Sequence, residues 1–260
     1  MKKNVVMSVV MLAASLALTG CAKKVVNING IADLKGMKIG VQSGTTGDAY
    51  CSENIEGAQV AGFKSAMDAA LDLKNGAIDA VVIDELPAEE IGARNSDLKI
   101  IHDPEFTANK EAYAIAVKKG NTELLNGINA TIKAMKENGS YAKLTAAFMP
   151  ASGSIVIPAP LSLKGNKVLK LGTNAAFPPF EYVDGKDVVG FDISMGEYIA
   201  ETMGTKLEVV DMAFDSLVAA VQSGAVDFVA AGMTVNEERK KNVDFSDSYY
   251  ESEQVIIVRK

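Results

Sequence analysis

The chain has 260 residues, of which 48% are hydrophobic and 23% are charged. This composition is typical of a globular protein with one large domain or two modest ones, and it supplies enough apolar residues for a core. The formal net charge is -7 and no lysine-rich face stands out, which argues against nucleic acid as a partner.

The first twenty-one residues have the pattern of a signal peptide. Two lysines precede an apolar run over 5–18, which is too short to span a bilayer comfortably and ends in Leu18-Thr-Gly-Cys21. This pattern resembles a bacterial lipoprotein signal, which implies that residues 1–20 are removed and that Cys21 carries a lipid anchor outside the cytoplasm. The alternative is a plain secretory signal with an incidental cysteine. With Cys21 acylated, Cys51 has no disulfide partner and is expected to be a buried thiol.

The next segment predicts an α/β unit. Residues 21–30 are polar and unpatterned, as in a tether, and structure is expected to begin at Ile31. An apolar strand over 37–41 runs into the glycine-rich turn 42–47 and then into a helix. A helix near 65–73 and a strand over 77–84, which ends in Asp84, complete the unit.

The middle of the chain predicts a strand, two helices and a linker. A strand-like run covers 112–117, and helices are expected over 122–137 and 140–148, separated by Asn138-Gly139. Three prolines lie between 150 and 160. The segment 150–166 is therefore expected to be a linker or an extended joining segment.

The second half of the chain repeats the pattern of the first. The strand over 168–174 matches the strand over 37–42, with Lys-apolar-Gly at corresponding places. The passage Val221–Val229 likewise matches Leu73–Val81. Two such matches in the same order favour two lobes of like fold, and a cleft between two lobes is a natural ligand site.

The stretch 230–239 reads as a strand end that turns into a helix. Thr234 and Glu237 have the spacing of a capping box, so the helix is expected to begin near Asn236 with Arg239 in its first turn. An anion would offset the unfavourable position of a cation at this end of a helix, and the arginine fork suits a carboxylate. The alternative is a solvated surface arginine beside two lysines.

The predicted strand ends carry chemistry that suits a free α-amino acid. Ligands of open α/β sheets lie beyond the carboxyl ends of the strands. Arg239 and Thr234 could grip a carboxylate, and Asp84 could accept an ammonium group. Phe177 and Phe214 offer apolar surface for a side chain.

Long stretches of the chain resemble a known family. The stretches "LGTNAAFPPFEYVDGKDVVGFDISMGEYIAE" and "FDSLVAAVQSGAVDFVAAGMTVNEERKKNVDFSDSYYESEQVIIVRK" resemble the amino-terminal half of solute-binding proteins that serve polar amino-acid ABC importers. The stretches "IADLKGMKIGVQSGTTGDAY", "LKNGAIDAVVIDE" and "YAIAVKKGNTELLNGINATIKAMKENGSYAKL" resemble the carboxyl-terminal half. The resemblance implies an α/β, two-lobed, periplasmic-binding-protein-like fold of type II, in which each lobe is a mixed sheet flanked by helices.

The two halves stand in the reverse of the family's usual order. The sequence therefore looks like a circular permutant, rejoined through the segment 150–166. The expected lobes are 31–111 and 112–260, the latter including a hinge strand over 112–118. One covalent crossing between them is expected, which predicts a looser hinge. A monomer is expected, and a domain-swapped dimer is the alternative.

The family's ligand contacts can be transferred to matching positions of this chain. The resemblance implies that the ligand carboxylate meets Arg239, Thr234 and the backbone of Thr46. It also implies that the ligand ammonium meets Asp84, the oxygen of Thr234 and a carbonyl in the Ala231-Gly232 region. Phe177 and Phe214 are expected to flank the ligand side chain, Gln42 and Met233 to border the pocket, and Asn174 is the remaining expected contact. Without the resemblance, Asp84 would be read as an exposed strand-end carboxylate and the two phenylalanines as ordinary core.

Asn174 stands where some members that bind basic amino acids have an aspartate. A neutral amide attracts a cationic ligand tail less directly than a carboxylate does. Stacking on Phe177 or Phe214 could still hold such a tail. The sequence therefore leaves the amino acid open.

The favoured function is capture of a free amino acid by hinge closure and delivery to an ABC permease, with no catalytic residue, cofactor or metal. A sensor domain is one alternative. Another is an enzyme similar to the cyclohexadienyl dehydratases of the same fold, with Glu181 or Asp84 as general acid. The single histidine, His102, stands beside Asp103 in a predicted loop, and no metal-ligand spacing is visible along the sequence.

Overall fold

Two five-stranded mixed sheets form the framework of the protein in the computed structural model, which describes residues 27–260. The predicted signal peptide, the lipid-anchor position Cys21 and most of the predicted tether lie outside the described residues. The described chain folds into two α/β lobes, which confirms the predicted fold class.

The first lobe is built on the sheet β2-β1-β3-β15-β4. Strand β15 is antiparallel to its neighbours β3 and β4, whereas β1 is parallel to both β2 and β3. The strands are β1 (Lys38–Gln42), β2 (Gln59–Phe63), β3 (Ala80–Asp84), β4 (Leu98–Ile101) and β15 (Gln254–Arg259).

The second lobe is built on the sheet β11-β7-β12-β6-β13. Here β6 is the antiparallel strand, between β12 and β13, and β7 is parallel to β11 and β12. The strands are β6 (Ala116–Lys118), β7 (Val168–Thr173), β11 (Lys206–Asp211), β12 (Phe228–Val229) and β13 (Val243–Phe245). A three-stranded sheet flanks them, with β8 (Ala176–Phe177), β9 (Glu181–Asp184) and β10 (Asp187–Val189).

The two large sheets have the same topology. In each, three parallel strands are followed by one antiparallel strand and then by an edge strand. Strand β1 corresponds to β7 and strand β3 to β12, which are the positions of the two sequence matches. The internal repeat read from the sequence therefore has a structural counterpart in two like-folded lobes.

Two strands carry the chain between the lobes. Strands β5 (Glu111–Tyr113) and β14 (Tyr250–Ser252) pair antiparallel, and each leads into the antiparallel strand of a large sheet. Strand β15 therefore completes the first lobe, although the sequence analysis placed all of 112–260 in the second. The expectation of a single covalent crossing is likewise wrong for the described chain. The last strand crosses back because its apolar residues are buried between β3 and β4.

Helices cover the sheets of both lobes. Capping residues in the sequence fix where helices begin and end, as in α2 (Ala66–Asn75). The Ser65 side chain accepts the backbone N–H of Asp68, and Gly76 ends the helix at a φ of 78°. The helices are α1 (Thr46–Asn54), α2 (Ala66–Asn75), α3 (Glu85–Arg94), α4 (Pro104–Ala108), α5 (Thr122–Asn138), α6 (Ser140–Phe148), α7 (Phe191–Thr202), α8 (Leu217–Ser223) and α9 (Glu237–Lys240).

The joining segment between α6 and β7 contains no helix or strand over 149–167. Helices α5 and α6, which precede it, pack against α7 of the second lobe. Within 27–260, no helix has the length and apolar character needed to cross a membrane. Cys51 is fully buried, as expected, and burial raises the pKa of its thiol to about 12.

Candidate functional site

A narrow, nearly closed cleft lies between the two lobes, with a free volume of about 10 Å³. Ten residues that the sequence analysis singled out for ligand binding line this cleft, together with Thr45 and Glu181. The ten are Gln42, Thr46, Asp84, Asn174, Phe177, Phe214, Ala231, Gly232, Thr234 and Arg239. Met233, which was expected to border the pocket, is fully buried and does not line the cleft.

The topology explains why these distant residues meet. In the first lobe, Gln42 ends β1, Asp84 ends β3 and Thr46 begins α1. In the second lobe, Asn174 follows β7 and Gly232 follows β12. The carboxyl ends of parallel strands share one edge of a sheet, and the two lobes turn these edges toward each other.

Arg239 places a buried guanidinium at one end of the cleft. The residue is 8% exposed, and its guanidinium lies 5.3 Å from the centre of the Phe214 ring. It donates to the carbonyl of Thr234 at 2.7 Å and, across the cleft, to the carbonyl of Gly44 at 3.0 Å. Among residues 27–260 it makes no ion pair. A buried cation bound only to carbonyls has donor capacity for an incoming anion.

The helix that carries Arg239 is capped differently from the sequence-based expectation. Asn236 is the N-cap, and its side chain accepts the backbone N–H of Arg239 at 2.8 Å. The helix begins where predicted, but the capping box with Thr234 is wrong. Thr234 instead forms a β-bridge with Tyr113 and keeps its hydroxyl in the cleft.

Asp84 places a buried carboxyl on the opposite wall. It is 5% exposed and accepts a hydrogen bond from the Tyr113 hydroxyl. Burial, assisted by the negative charge of Glu111, raises the pKa of Asp84 to about 7. No ion pair joins Asp84 to any other described residue. A cationic partner beside Asp84 would stabilise its ionised form.

Glu111 connects the two walls from the start of the crossing strand β5. Its Oε2 atom accepts the Thr46 hydroxyl at 2.7 Å and the Thr234 hydroxyl at 2.6 Å. Because each hydroxyl donates its proton to Glu111, its oxygen can still accept a bond from a ligand, although Thr46 also accepts a long bond of 3.5 Å from the Gln254 side chain. Sequence analysis missed Glu111; its only signal was its position beside the predicted hinge strand 112–118.

Glu181 is a second buried carboxyl in the cleft wall. It is 0% exposed, and neither carboxylate oxygen accepts a hydrogen bond within the described chain. Burial, the charge of Asp192 and a hydrogen bond to the Asp192 carboxylate raise the pKa of Glu181 well above its usual range. Asp192 also accepts the Gly232 N–H at 2.8 Å and the Tyr249 hydroxyl at 2.6 Å. Glu181 therefore keeps one acceptor oxygen for a donor that enters the cleft.

Gly232 allows close packing beneath the cleft. Its φ is 52°, and a Cβ atom on it would lie 2.7 Å from Cε1 of Phe177. Only glycine fits both constraints without strain. Phe177 can therefore lie flat against the backbone, where it stacks on Phe180 at 5.9 Å between ring centroids.

Direct contacts between the walls hold the cleft closed. The Gln42 side-chain amide donates to Asn174 Oδ1 at 2.8 Å, and Asn174 in turn donates to the Met212 carbonyl at 2.8 Å. The bond from Arg239 to Gly44 also joins the lobes. The side-chain oxygen of Gln42 is buried without a partner among residues 27–260, so this side of the cleft offers one more acceptor.

Part of the chain, most of it in the second lobe, matches a protein-family model. Residues 169–260 match the family described as bacterial extracellular solute-binding proteins, family 3. The matched segment includes the strands and turns that supply Asn174, Phe177, Thr234 and Arg239. The matched family agrees with the resemblance that the sequence analysis found in the same stretch.

Curated relatives match over a stretch of similar length. The arginine-binding extracellular protein ArtP of Bacillus subtilis (strain 168) is 46% identical over 99 residues, which cover 38% of this chain and 39% of that protein. The L-arginine-binding protein of Pseudomonas aeruginosa is 38% identical over 96 residues, which cover 36% of this chain and 37% of that protein. The chain thus spans well under half of the length of either relative. Both relatives are named as binding proteins.

Among solved structures, an ancestral arginine-binding protein bound to arginine is 50% identical to this chain. The match covers 33% of this chain and 38% of that one, with a TM-score of 0.32.

Proposed function

We propose that this chain captures a free α-amino acid with a cationic side chain between its two lobes and delivers it to an ABC permease. One observation carries the proposal. The cleft holds a buried guanidinium from one lobe and a buried carboxyl from the other, and they do not pair with each other or with any other charged side chain in the described residues.

A zwitterion satisfies both groups at once. Its carboxylate would take the bidentate donors of Arg239, and its ammonium would donate to Asp84 and to the Thr234 hydroxyl oxygen. The backbone at the start of α1, beside Thr46, adds N–H groups that have no partner within the helix. A ligand held in this way contacts both lobes, so it favours the closed arrangement.

The buried carboxyl of Glu181, which has no ion-pair partner among the described residues, favours a cationic side chain. A guanidinium or ammonium tail that passes Phe177 would donate to Glu181, and its charge would favour the ionised form of Glu181. The names of the relatives, arginine-binding proteins, support the same class of ligand. The neutral Asn174 is then a positioning group, because its amide is already bonded to Gln42 and Met212.

We also propose that the two halves stand in circularly permuted order. Support comes from the like topology of the lobes and from the family match over residues 169–260, the stretch that resembles the family's amino-terminal half. Ile28 and Val258 pack in one hydrophobic cluster of the first lobe. A reordered chain that runs 167–260 and then 28–149 should therefore fold and bind the same ligand, whereas loss of folding would refute the permutation.

The place of action follows from the amino-terminal pattern. We propose that Cys21 is lipidated and holds the protein at the outer face of a membrane, close to a permease. Incorporation of labelled fatty acid should occur in the wild type and fail in Cys21→Ser. Labelling that persists in the variant would refute the anchor at this position.

The test of ligand binding is a thermal-shift screen with calorimetry on the full-length chain. Arginine, lysine, histidine, glutamine, glutamate and cystine would be compared at saturating concentration. A ligand that binds only the folded form must raise the melting temperature. We expect the largest rise for arginine or lysine. A folded sample that responds to no amino acid would refute the proposal.

The raised pKa of Glu181 also supports a second candidate, a dehydratase. A carboxyl that keeps its proton to a higher pH than an ordinary glutamic acid could act as a general acid toward the leaving hydroxyl of a cyclohexadienyl acid. Loss of water and carbon dioxide from such a substrate would give an aromatic product that absorbs in the ultraviolet. Turnover by the wild type that disappears in Glu181→Gln would favour the dehydratase. A wild-type chain that binds arginine but shows no turnover would exclude the dehydratase.

A further inference from the structure

One imidazole and two carboxylates meet at the edge of the first lobe, outside the cleft. Nδ1 of His102 lies 2.8 Å from Oε1 of Glu253 and 3.7 Å from Oε1 of Glu85. One potential ligand atom from each of the three residues lies within 4.8 Å of the others. The sequence analysis saw no metal-ligand spacing, because 151 residues separate His102 from Glu253.

Sheet topology brings the three residues together. Glu85 directly follows β3, His102 directly follows β4, and Glu253 directly precedes β15. Because β15 is antiparallel to both neighbours and lies between them, these three positions share one edge of the sheet. The backbone N–H of Glu85 also donates to the carbonyl of Glu253 at 2.9 Å. The backbone therefore holds two of the side chains in fixed positions.

From these contacts we infer that Glu85, His102 and Glu253 form a binding site for a divalent transition-metal ion of the Zn²⁺ class. Zinc binds imidazole nitrogen and carboxylate oxygen at about 2.0–2.2 Å, so neighbouring ligand atoms in a tetrahedral site lie about 3.3–3.5 Å apart. The two observed distances from Nδ1 bracket this value. Imidazole favours such ions over Mg²⁺ or Ca²⁺, which prefer all-oxygen sites.

The excess of negative charge at these three side chains also favours a bound cation. Glu253 is 8% exposed, and its side chain has His102 as its only ion-pair partner within the described chain. Glu85 likewise has no ion-pair partner except His102 among residues 27–260. Two carboxylates thus share one imidazole, and a divalent cation would neutralise both. The side chains of His102 and Glu85 are 49% and 34% exposed, so an ion can enter and water can complete its coordination.

The position of the site links it to the hinge. Glu253 stands between the crossing strand β14 and strand β15, so a bound ion would tie the end of a crossing strand to the first lobe. The amino-acid cleft does not include any of the three ligands. Metal binding can therefore be measured without an amino acid, and it stands or falls separately from the proposed transport function.

The test uses the fact that the sequence has a single histidine. Full-length protein without a histidine tag would be freed of metal and titrated with Zn²⁺ while the imidazole nitrogens are followed by NMR. We expect saturation near one ion per chain, with Nδ1 bound to metal and the proton on Nε2. No change at the imidazole, or binding through Nε2, would overturn the inference.

Variants then identify the carboxylates by calorimetry. Glu253→Gln and Glu85→Gln should each lower zinc affinity about tenfold or more, because each removes one of three protein ligands. Glu90→Gln, on the same helix as Glu85 but paired with Arg94, is the matched control and should leave the affinity unchanged. Equal affinity in all variants, or equally strong binding of Mg²⁺, would refute the site.

Discussion

Thr46 and Thr234 lie in different lobes, yet their hydroxyls donate to the same carboxylate oxygen of Glu111, at 2.7 and 2.6 Å. The shared acceptor stands at the start of a crossing strand and holds both hydroxyls in this closed arrangement of the lobes. We therefore regard Glu111 as a positioning residue, which acts on the ligand through two threonines.

Glu111→Gln should weaken amino-acid binding about tenfold, because an amide cannot accept both hydroxyl protons with the strength of a carboxylate. Removal of its charge should also lower the pKa of Asp84, so the pH at which binding is half-lost should move down. Calorimetry over a pH series measures both effects. Glu251→Gln, on the exposed part of the neighbouring strand β14, is the control. An unchanged pH profile would argue against the positioning role.

Arg239→Lys and Arg239→Ala test the carboxylate end of the cleft. Loss of a buried charged partner costs roughly 2–5 kcal/mol, so the alanine variant should bind at least about thirtyfold more weakly. Lysine should restore only part of the affinity, because it lacks the planar fork. Lys240→Ala, whose side chain is exposed and paired with Glu237, should bind normally. A normal affinity in Arg239→Ala would place the ligand elsewhere.

The affinity for the amino acid should rise with pH between roughly 5 and 7. The pKa of Asp84 is raised from 3.8 to about 7 in the ligand-free protein, and a bound ammonium favours ionised Asp84. Binding below pH 7 therefore releases a proton, which changes the affinity by up to about tenfold per pH unit. Calorimetry in buffers of different ionisation enthalpy measures the released proton. Asp84→Asn should bind weakly and show a flatter profile, and a steep profile in that variant would assign the proton to another group.

The stability of the ligand-free protein should change in the opposite direction. A carboxyl whose pKa is raised on folding binds more protons in the folded than in the unfolded state between its two pKa values. The free energy of unfolding therefore falls as pH rises from about 4 to about 7. Thermal melts across this range should show the decline, and Asp84→Asn should reduce it. A melting temperature that rises through the same range in the wild type would contradict this assignment.

Glu181→Gln should separate cationic ligands from neutral ones. If the Glu181 carboxylate holds a cationic tail, the variant should bind arginine and lysine at least about tenfold more weakly, while glutamine binding changes little. Competition calorimetry against glutamine gives the ratio directly. An equal loss for all amino acids would mean that Glu181 supports the structure of the cleft and does not select the side chain.

Gly232→Ala should lower the stability of the protein and its affinity together. The substitution combines a positive φ with a Cβ atom 2.7 Å from Phe177 Cε1, so the expected cost is about 2–4 kcal/mol. Gly185→Ala is a matched control, because its φ is 62° and no atom lies within 4 Å of the added Cβ. Chemical denaturation of both variants isolates the overlap with Phe177. Equal losses in the two would assign the whole cost to backbone conformation.

The sequence by itself determined the local elements and the cleft residues. An apolar run that ends in a glycine-rich turn predicted β1, and the sequence match to that run predicted β7. The helix bounds around Asn138-Gly139 lie within one residue of those observed. Strand ends predicted that Asp84, Thr234 and Arg239 would converge, because parallel strands in an α/β sheet bring their carboxyl ends to one edge. The ligand roles of these residues await the measurements above.

The tertiary structure decided the features that depend on long-range pairing. Strand β15 reads as the end of the second repeat, but its burial between β3 and β4 places it in the first lobe. The placement of β15 in the first lobe also brings Glu253 beside His102 and Glu85. The crossing strand β5 brings Glu111 into contact with both walls of the cleft. Periodicity reports which face of an element is buried, but it does not report which distant strand covers that face. These contacts therefore became visible only in the folded chain.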